Sequence, residues 1–473
     1  MTEYLIRLAQ EHQSFRRPEL EALATLERID LEFLFYDKHS PFCVVKLKDE
    51  AAAKALISRS ILAKGIYELW GQGRNYDELH ADVRQRTEDK WPIYKNSSFR
   101  FAVDGYGGAR NIKELPALIL TFSYMDFKGP VRMKNPDQEF RIFEEYEGAF
   151  SQERSETPGR APNHASTEKI MEEESTQEPF MIYFGRRIAT SGREVVQQYD
   201  LKKRNYISTT SMESAMSLLT ANMALAAPGK VFYDPFVGTG SFCVAAAHFG
   251  AVGMGSDIDG RSFKGKDTGN GKPTGLNANL EQYGFKSHFL DAFAADLTNT
   301  PIRSERIFDG IICDPPYGVR EGLKVLGSRE GRHRGYATVD GVPSHLVEGY
   351  IAPKKPYGFE AMLGDILEFA SRTLVPNGRL SFWMPTANDD LEIGIPTHPS
   401  LEVVSVCIQP FNKWSRRLLT YRRLPDGEVS VAAPRRVKDD PNGKNADDLN
   451  SFRRRYFQKF NTPEEQKEEP IHP

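Results

Sequence analysis

Cysteine is scarce and scattered in this chain of 473 residues. Cys43, Cys243, Cys313 and Cys407 sit far apart, with no C-x-x-C and no paired His. A disulfide framework and a zinc site are therefore not expected, and a reducing cytoplasm is. There is no run of about 18 apolar residues, so no membrane span is expected. The opening "MTEYLIRLAQEHQSF" lacks a basic stretch followed by an apolar one and is not read as a secretory signal. No G-x-x-x-x-G-K-[ST] P-loop occurs either. Strong positive charge is also missing, since the formal net charge is −3. That value hides an asymmetry. Between Glu144 and Glu178 ten Glu face only Arg154, Arg160 and Lys169, a local −7, which leaves +4 elsewhere (−3 minus −7). A mildly basic remainder permits an anionic partner without demanding one.

What is present is enough for a packed interior. Hydrophobic residues make up 40% and charged ones 27%, and the length suggests about three domains. Residues 1–80 alternate short apolar runs with helix-like patterns ("EYLIRLA", "RPELEALATLERI", "FCVVKL", "EAAAKALISRSIL"), an α+β module. A second module over 81–200 has strand-like "SFRFAVDGYG" and "ALILTFSY" and resumes at "PFMIYFGRRIA". Residues 144–178 interrupt it with Ser, Thr, Glu and Pro and almost no aliphatics, which predicts a disordered acidic insertion. Residues 201–423 alternate helices with apolar strands, the pattern of a doubly wound, mostly parallel sheet. Residues 424–473 are charged and Pro-punctuated, the pattern of a flexible tail.

Four constellations in the third region carry chemistry. "VFYDPFVGTGSFCVAAAHFGA" runs from a strand into Asp234, then Gly238, Thr239 and Gly240, then an Ala-rich helix. Glycines there let backbone approach a ligand and aim helix N-terminal amides at it. "GMGSDID" ends the next strand with an acid able to accept from both hydroxyls of a ribose. Either Asp257 or Asp259 suits, with Asp257 preferred and Asp259 fitted to cap the following helix. "FAADLT" ends a third strand at Asp296, which is placed either to reach a cofactor base or to shape a turn. "IICDPPYG" ends a fourth strand at Asp314, Pro315, Pro316 and Tyr317. Two prolines fix φ and remove two amide donors, so the turn presents stiff acceptors. Asp314 and the Pro315 carbonyl can take both hydrogens of an exocyclic amine while Tyr317 stacks on its base, orienting the nitrogen lone pair.

This set resembles the class I S-adenosylmethionine-dependent methyltransferases that modify exocyclic amines. "DPFVGTGS", "SDID", "AADLT" and "DPPYG" match their successive motifs. "KRNYISTTSMESAMSLLTANMA", with Thr210, is similar to the helix that closes their methionine pocket. "DPPYGVREGLKVLGSR" narrows the likeness to the eukaryotic tRNA guanine-10-N2-methyltransferase catalytic subunits, over roughly 1–140 and 180–423. The resemblance implies a Rossmann-like class I domain with a seven-stranded sheet, preceded by an α+β N-terminal module and an RNA-binding THUMP domain. It implies S-adenosylmethionine as cofactor, with its methionine end toward Gly238 and Gly240, its ribose on Asp257 and its adenine near Asp296. It further implies tRNA as substrate and a small zinc-binding activator as heterodimer partner. An apolar edge strand with Phe289, Leu290 and Phe293 gives that partner a place to pair, unless a helix of the chain covers it.

Basic residues cluster at Arg186 and Arg187, at Lys202, Lys203 and Arg204, and at Arg320, Lys324 and Arg329; they recur in "NKWSRRLLTYRR", where Trp414 adds a stacking surface. Singly these are ordinary surface charges, but as a set flanking the site they point to RNA phosphates. Two other readings stand against a tRNA guanine-N2-methyltransferase. One keeps the chemistry but acts on adenine N6 or cytosine N4 in DNA or another RNA. The RNA-type module and the residues after the clamp disfavour DNA. The other is a non-catalytic RNA scaffold, which has no use for Asp314, Asp257 and Gly238 together.

Overall fold

The computed structural model describes residues 1–147, 178–265, 274–319, 322–327, 338–347, 350, 352–388, 394–412, 414–429 and 449–457. Most of the acidic interruption, together with Arg320 and Arg329, lies outside the described residues. The chain divides into two compact units, Met1–Val195 and Val196–Pro473.

In the first unit seven strands form one sheet. Their order is β2 (Glu32–Tyr36), β3 (Phe42–Leu47), β1 (Thr2–Leu8), β4 (Ala63–Gly73), β7 (Met181–Thr190), β6 (Gln138–Glu145) and β5 (Phe99–Tyr106). The modules expected at 1–80 and 81–200 thus share a sheet. β4 joins them: it pairs with β1 (Ile6↔Ile66) on one side and with β7 (Gly65↔Thr190 to Gly73↔Ile182) on the other. Nearly every residue of β4 is buried, and a strand so apolar needs neighbours on both edges. Two local expectations are corrected. "ALILTFSY" is not a strand; Leu115–Leu120 is a helix, begun by Pro116 in its first turn, where a missing N–H costs nothing. Glu144 and Glu145 do not belong to a disordered insertion. They end β6 and are buried, and the Glu144 carboxylate takes Arg110 Nε at 2.5 Å and hydroxyls of Tyr76 and Tyr146 at 2.7 and 2.9 Å.

The second unit has a seven-stranded sheet in the order β10 (Phe289–Ala294), β9 (Val252–Asp257), β8 (Val231–Asp234), β11 (Phe308–Cys313), β16 (Leu374–Ala387), β18 (Trp414–Arg423) and β17 (Leu401–Pro410). Two small pairs lie between β11 and β16 in sequence: β12 (Lys324–Leu326) with β15 (Lys354–Pro356), and β13 (Thr338–Val339) with β14 (Val342–Pro343). β10, β9, β8, β11 and β16 run parallel, while β18 is antiparallel to both neighbours. This is a Rossmann-like sheet, and its order reverses between β8 and β11. Ligands bind such sheets outside the carboxyl ends at that switch.

Packing brings β8 and β11 together closely. Tyr233 stacks on Phe308 at 4.9 Å between centroids, and a Cβ on Gly310 would stand 2.1 Å from the Phe232 ring. Helix Phe359–Thr373 covers the sheet with Phe359, Met362, Leu363, Ile366, Leu367 and Ala370, the three-and-four spacing of one helical face. "NKWSRRLLTYRR" is chiefly β18 rather than an exposed basic patch. Arg417 is buried with Nε on Thr386 Oγ1 at 2.7 Å, and Arg423 with Nε on the Ser371 carbonyl at 2.8 Å. The supposed tail has order as well: helix Ser451–Phe457 packs with Asn450 and Phe452 buried.

Candidate active site

β8 delivers Asp234 into the interior, where burial pushes its carboxyl well above the usual range. Its Oδ1 accepts from the Phe236 amide at 3.0 Å, and its Oδ2 is buried without a hydrogen-bond partner. The chain then turns through Gly238 (φ 47°) and Gly240 (φ 80°) into helix Ser241–His248. Position 240 favours glycine, because φ is left-handed and a Cβ would sit 1.8 Å from Leu276 Cδ1. Thr239 is held from both sides: its hydroxyl pairs with Ser211 Oγ at 2.7 Å, and its carbonyl accepts from Asn279 Nδ2 at 3.0 Å.

Asp257 closes the loop from β9. Its Oδ2 accepts the Gly238 amide at 3.2 Å and its Oδ1 the Asp259 amide at 2.9 Å; burial raises its pKa. Asp259 has another occupation. Its carboxylate caps the Arg261 amide at 3.0 Å and pairs with the Arg261 guanidinium, which holds it down to about 2. Asp296 accepts from the Thr298 amide at 2.9 Å, the Thr298 hydroxyl at 3.0 Å and the Leu326 amide at 2.8 Å. It therefore ties β12 to the turn after β10, which is the turn-shaping alternative. Thr210 is exposed, with its hydroxyl on Ser208 Oγ at 3.1 Å; its neighbour Ser211 is the residue that reaches the glycine loop.

Asp314 follows β11 directly. Surrounding protein penalises its charge and raises its pKa to about 6, against the opposing effects of the Tyr317 hydroxyl and Arg416. Tyr317 donates that hydroxyl to Asp314 Oδ1 at 2.6 Å, and burial keeps its phenol protonated. The Tyr317 ring meets Trp414 edge-on at 6.1 Å, and Trp414 stacks on Phe411 at 4.6 Å. Pro315 is buried and Pro316 exposed, so the turn is anchored on one side and open on the other. Behind it Arg416 gives Nε to Gln409 Oε1 at 2.6 Å and Nη2 to Glu213 Oε1 at 3.3 Å. Glu213 stands just ahead of helix Ser214–Met223. Sequence reasoning missed Gln409, Glu213, Asn279 and Ser211, and counted Arg416 only within the basic stretch "NKWSRRLLTYRR". Glu213 and Ser211 were flagged by position alone, lying inside the pocket-helix segment.

The proposed RNA contacts divide. Arg186 is buried and pairs with Glu68 at 3.0 Å and Glu50 at 2.9 Å, and Arg187 pairs with Glu139 at 3.0 Å. Arg204 is buried with Nη1 on Ser241 Oγ at 2.7 Å. Arg186 and Arg204 face the interior, held by carboxylates and by a helix start, while Arg187 is half-buried against the buried Glu139. Lys202, Lys203 and Lys324 are exposed.

Residues 2–162 match the model of the Tmrp11 THUMP N-terminal domain, and residues 202–327 that of the RMKL-like methyltransferase domain. The chain is 42% identical to the tRNA (guanine(10)-N(2))-methyltransferase of Saccharomyces cerevisiae over 98% of its own length and 100% of the relative's. This chain belongs to the tRNA (guanine(10)-N(2))-methyltransferase family. Its likeness to the Schizosaccharomyces pombe member is 36% over 97% of this chain and 96% of the other. To the human member, TRMT11, it is 32% over 97% and 95%. The glycine loop after β8 and the Asp314 turn after β11 lie at the carboxyl ends of adjacent parallel strands.

Proposed function

We propose that this chain methylates the exocyclic N2 amine of guanosine 10 in tRNA, with S-adenosylmethionine as donor. The observation that carries the reading is the Asp314 turn: a carboxylate just after β11, oriented by its own Tyr317 and followed by two prolines. The residues present fit the donor. Gly238 leaves room for backbone approach, Asp257 offers a carboxylate for hydroxyls, and the unpartnered Asp234 Oδ2 suits a polar ligand group. When bound, S-adenosylmethionine supplies an electrophilic methyl on sulfonium sulfur.

The protein's own part is orientation and charge. Tyr317 satisfies Asp314 Oδ1 and leaves Oδ2 to accept one amine hydrogen, with the Pro315 carbonyl to accept the other. Two fixed acceptors draw the lone pair out of conjugation with the ring and toward the electrophile. Asp314, with its pKa raised to about 6, also accepts the proton that the amine gives up on alkylation. Cys313 is buried with its thiol held protonated, and the direct displacement needs no covalent intermediate on it.

A small zinc-binding subunit is the proposed partner, pairing along β10. That strand is the edge of the sheet, and Leu290 on it is 62% exposed. A cytoplasmic setting is part of the same proposal; among the described residues no helix is long and apolar enough to cross a membrane. Incubating the chain, alone and with that subunit, with labelled donor and either tRNA or duplex DNA tests the reading. Label as N2-methylguanosine in tRNA is expected. Label confined to DNA, or found as N6-methyladenosine, refutes it.

A further inference from the structure

The turn after Asp314 is held by a segment more than a hundred residues away. Prolines at 315 and 316 deprive this stretch of two amide donors, while the carbonyls of the residues that follow still need hydrogen bonds. The donors come from just before and within helix Ser451–Phe457. Asn450 Nδ2 reaches the Tyr317 carbonyl at 2.9 Å, and Arg453 Nη1 reaches the carbonyls of Gly318 and Val319 at 2.6 Å each. Asn450 is buried and is itself fixed, because its Oδ1 accepts the Arg453 amide at 2.9 Å. Phe452 packs edge-on against Trp414 at 5.9 Å, and Trp414 meets the Tyr317 ring. The Leu449 carbonyl accepts the Phe359 amide at 2.9 Å, which anchors the segment to the helix covering the sheet.

Gly318 carries the mark of the same fit. Its φ is +72°, and a Cβ there would lie 2.7 Å from Asn450 Nδ2. The turn is therefore shaped to admit Asn450 as well as to bend.

We infer that residues 449–457 are a latch that sets the Asp314–Tyr317 turn, with Asn450 and Arg453 as positioning residues. The inference rests on the reading of that turn as the amine-binding site. Releasing the two side chains frees three carbonyls and lets Tyr317 drift from Asp314. An error of about an ångström in such a site can cost up to ~100-fold in rate.

The test uses full-length protein carrying Asn450→Ala with Arg453→Ala, compared with Arg453→Lys alone. Two readouts are taken: backbone hydrogen exchange in the peptide covering 308–319, and kcat on tRNA, with the small zinc-binding subunit present, beside donor affinity. Faster exchange and a fall in kcat of at least ~10-fold are expected for the double variant, with donor Kd within ~3-fold. Arg453→Lys should keep most of the turnover, since an ammonium still donates to those carbonyls. Unchanged exchange overturns the latch whether or not the chain is active on tRNA. Faster exchange with unchanged kcat overturns the positioning role. Wild-type protein that leaves tRNA unmethylated even with the small zinc-binding subunit present refutes the proposed function instead, and the exchange result still decides the latch.

Discussion

Asp314 is useful to an amine only as a carboxylate, since the protonated acid offers a donor where an acceptor is needed. Its pKa is raised to about 6, chiefly by burial, so its useful form disappears as pH falls through that value. Turnover is expected to fall below about pH 6 and to level off above it. A rate profile flat between about pH 5 and 8 would contradict this assignment. Asp314→Asn keeps the shape but loses the charge, and should lower kcat by ~100- to 1000-fold while donor affinity holds. Gly240→Ala behaves differently. The left-handed φ and the Leu276 contact make it a folding defect, expected to cost ~1–3 kcal/mol in thermal or denaturant unfolding and to weaken donor binding.

Among the elements, β7 shows how a charge can mislead. Arg186 looks like an RNA contact in sequence, yet it lies between Glu68 and Glu50 in the first unit's sheet. Removing it leaves Glu68 to Lys90 and Trp70, and Glu50 to Lys54. Arg186→Ala is expected to destabilise the protein by ~1–2 kcal/mol, more than a surface cation would. Loss of tRNA affinity with an unchanged unfolding midpoint would restore the RNA assignment. The strands β8, β9, β10 and β11 were legible beforehand, because each is an apolar run ended by an acid, a glycine or a proline. The carboxyl ends of those strands placed Asp234, Asp257, Asp296 and Asp314 in their turns. What could not be read is pairing at long range. Nothing local to Arg186 announces a glutamate 118 positions away, and nothing in the charged tail announces that Asn450 closes on Tyr317. "ALILTFSY" failed for another reason, since an apolar run of that length fits a strand or a buried helical turn equally.

The molecule as a whole combines a unit matching a THUMP N-terminal family with a class I methyltransferase unit, and its β10 edge lies open to a further strand or apolar surface. Leu290→Arg on that edge should abolish co-purification with the proposed small zinc-binding subunit while shifting the chain's own Tm by only about 1 °C, as surface substitutions do. Retained co-purification would place the partner elsewhere. The central claim is that one exocyclic amine, at guanosine 10 of tRNA, is the group held at Asp314. Replacing that guanosine by inosine removes the amine and leaves the rest of the nucleoside intact. The measurement is methyl incorporation from labelled donor into the two otherwise identical tRNAs. Label in the guanosine tRNA and none in the inosine tRNA is the predicted result; equal label in both would contradict it.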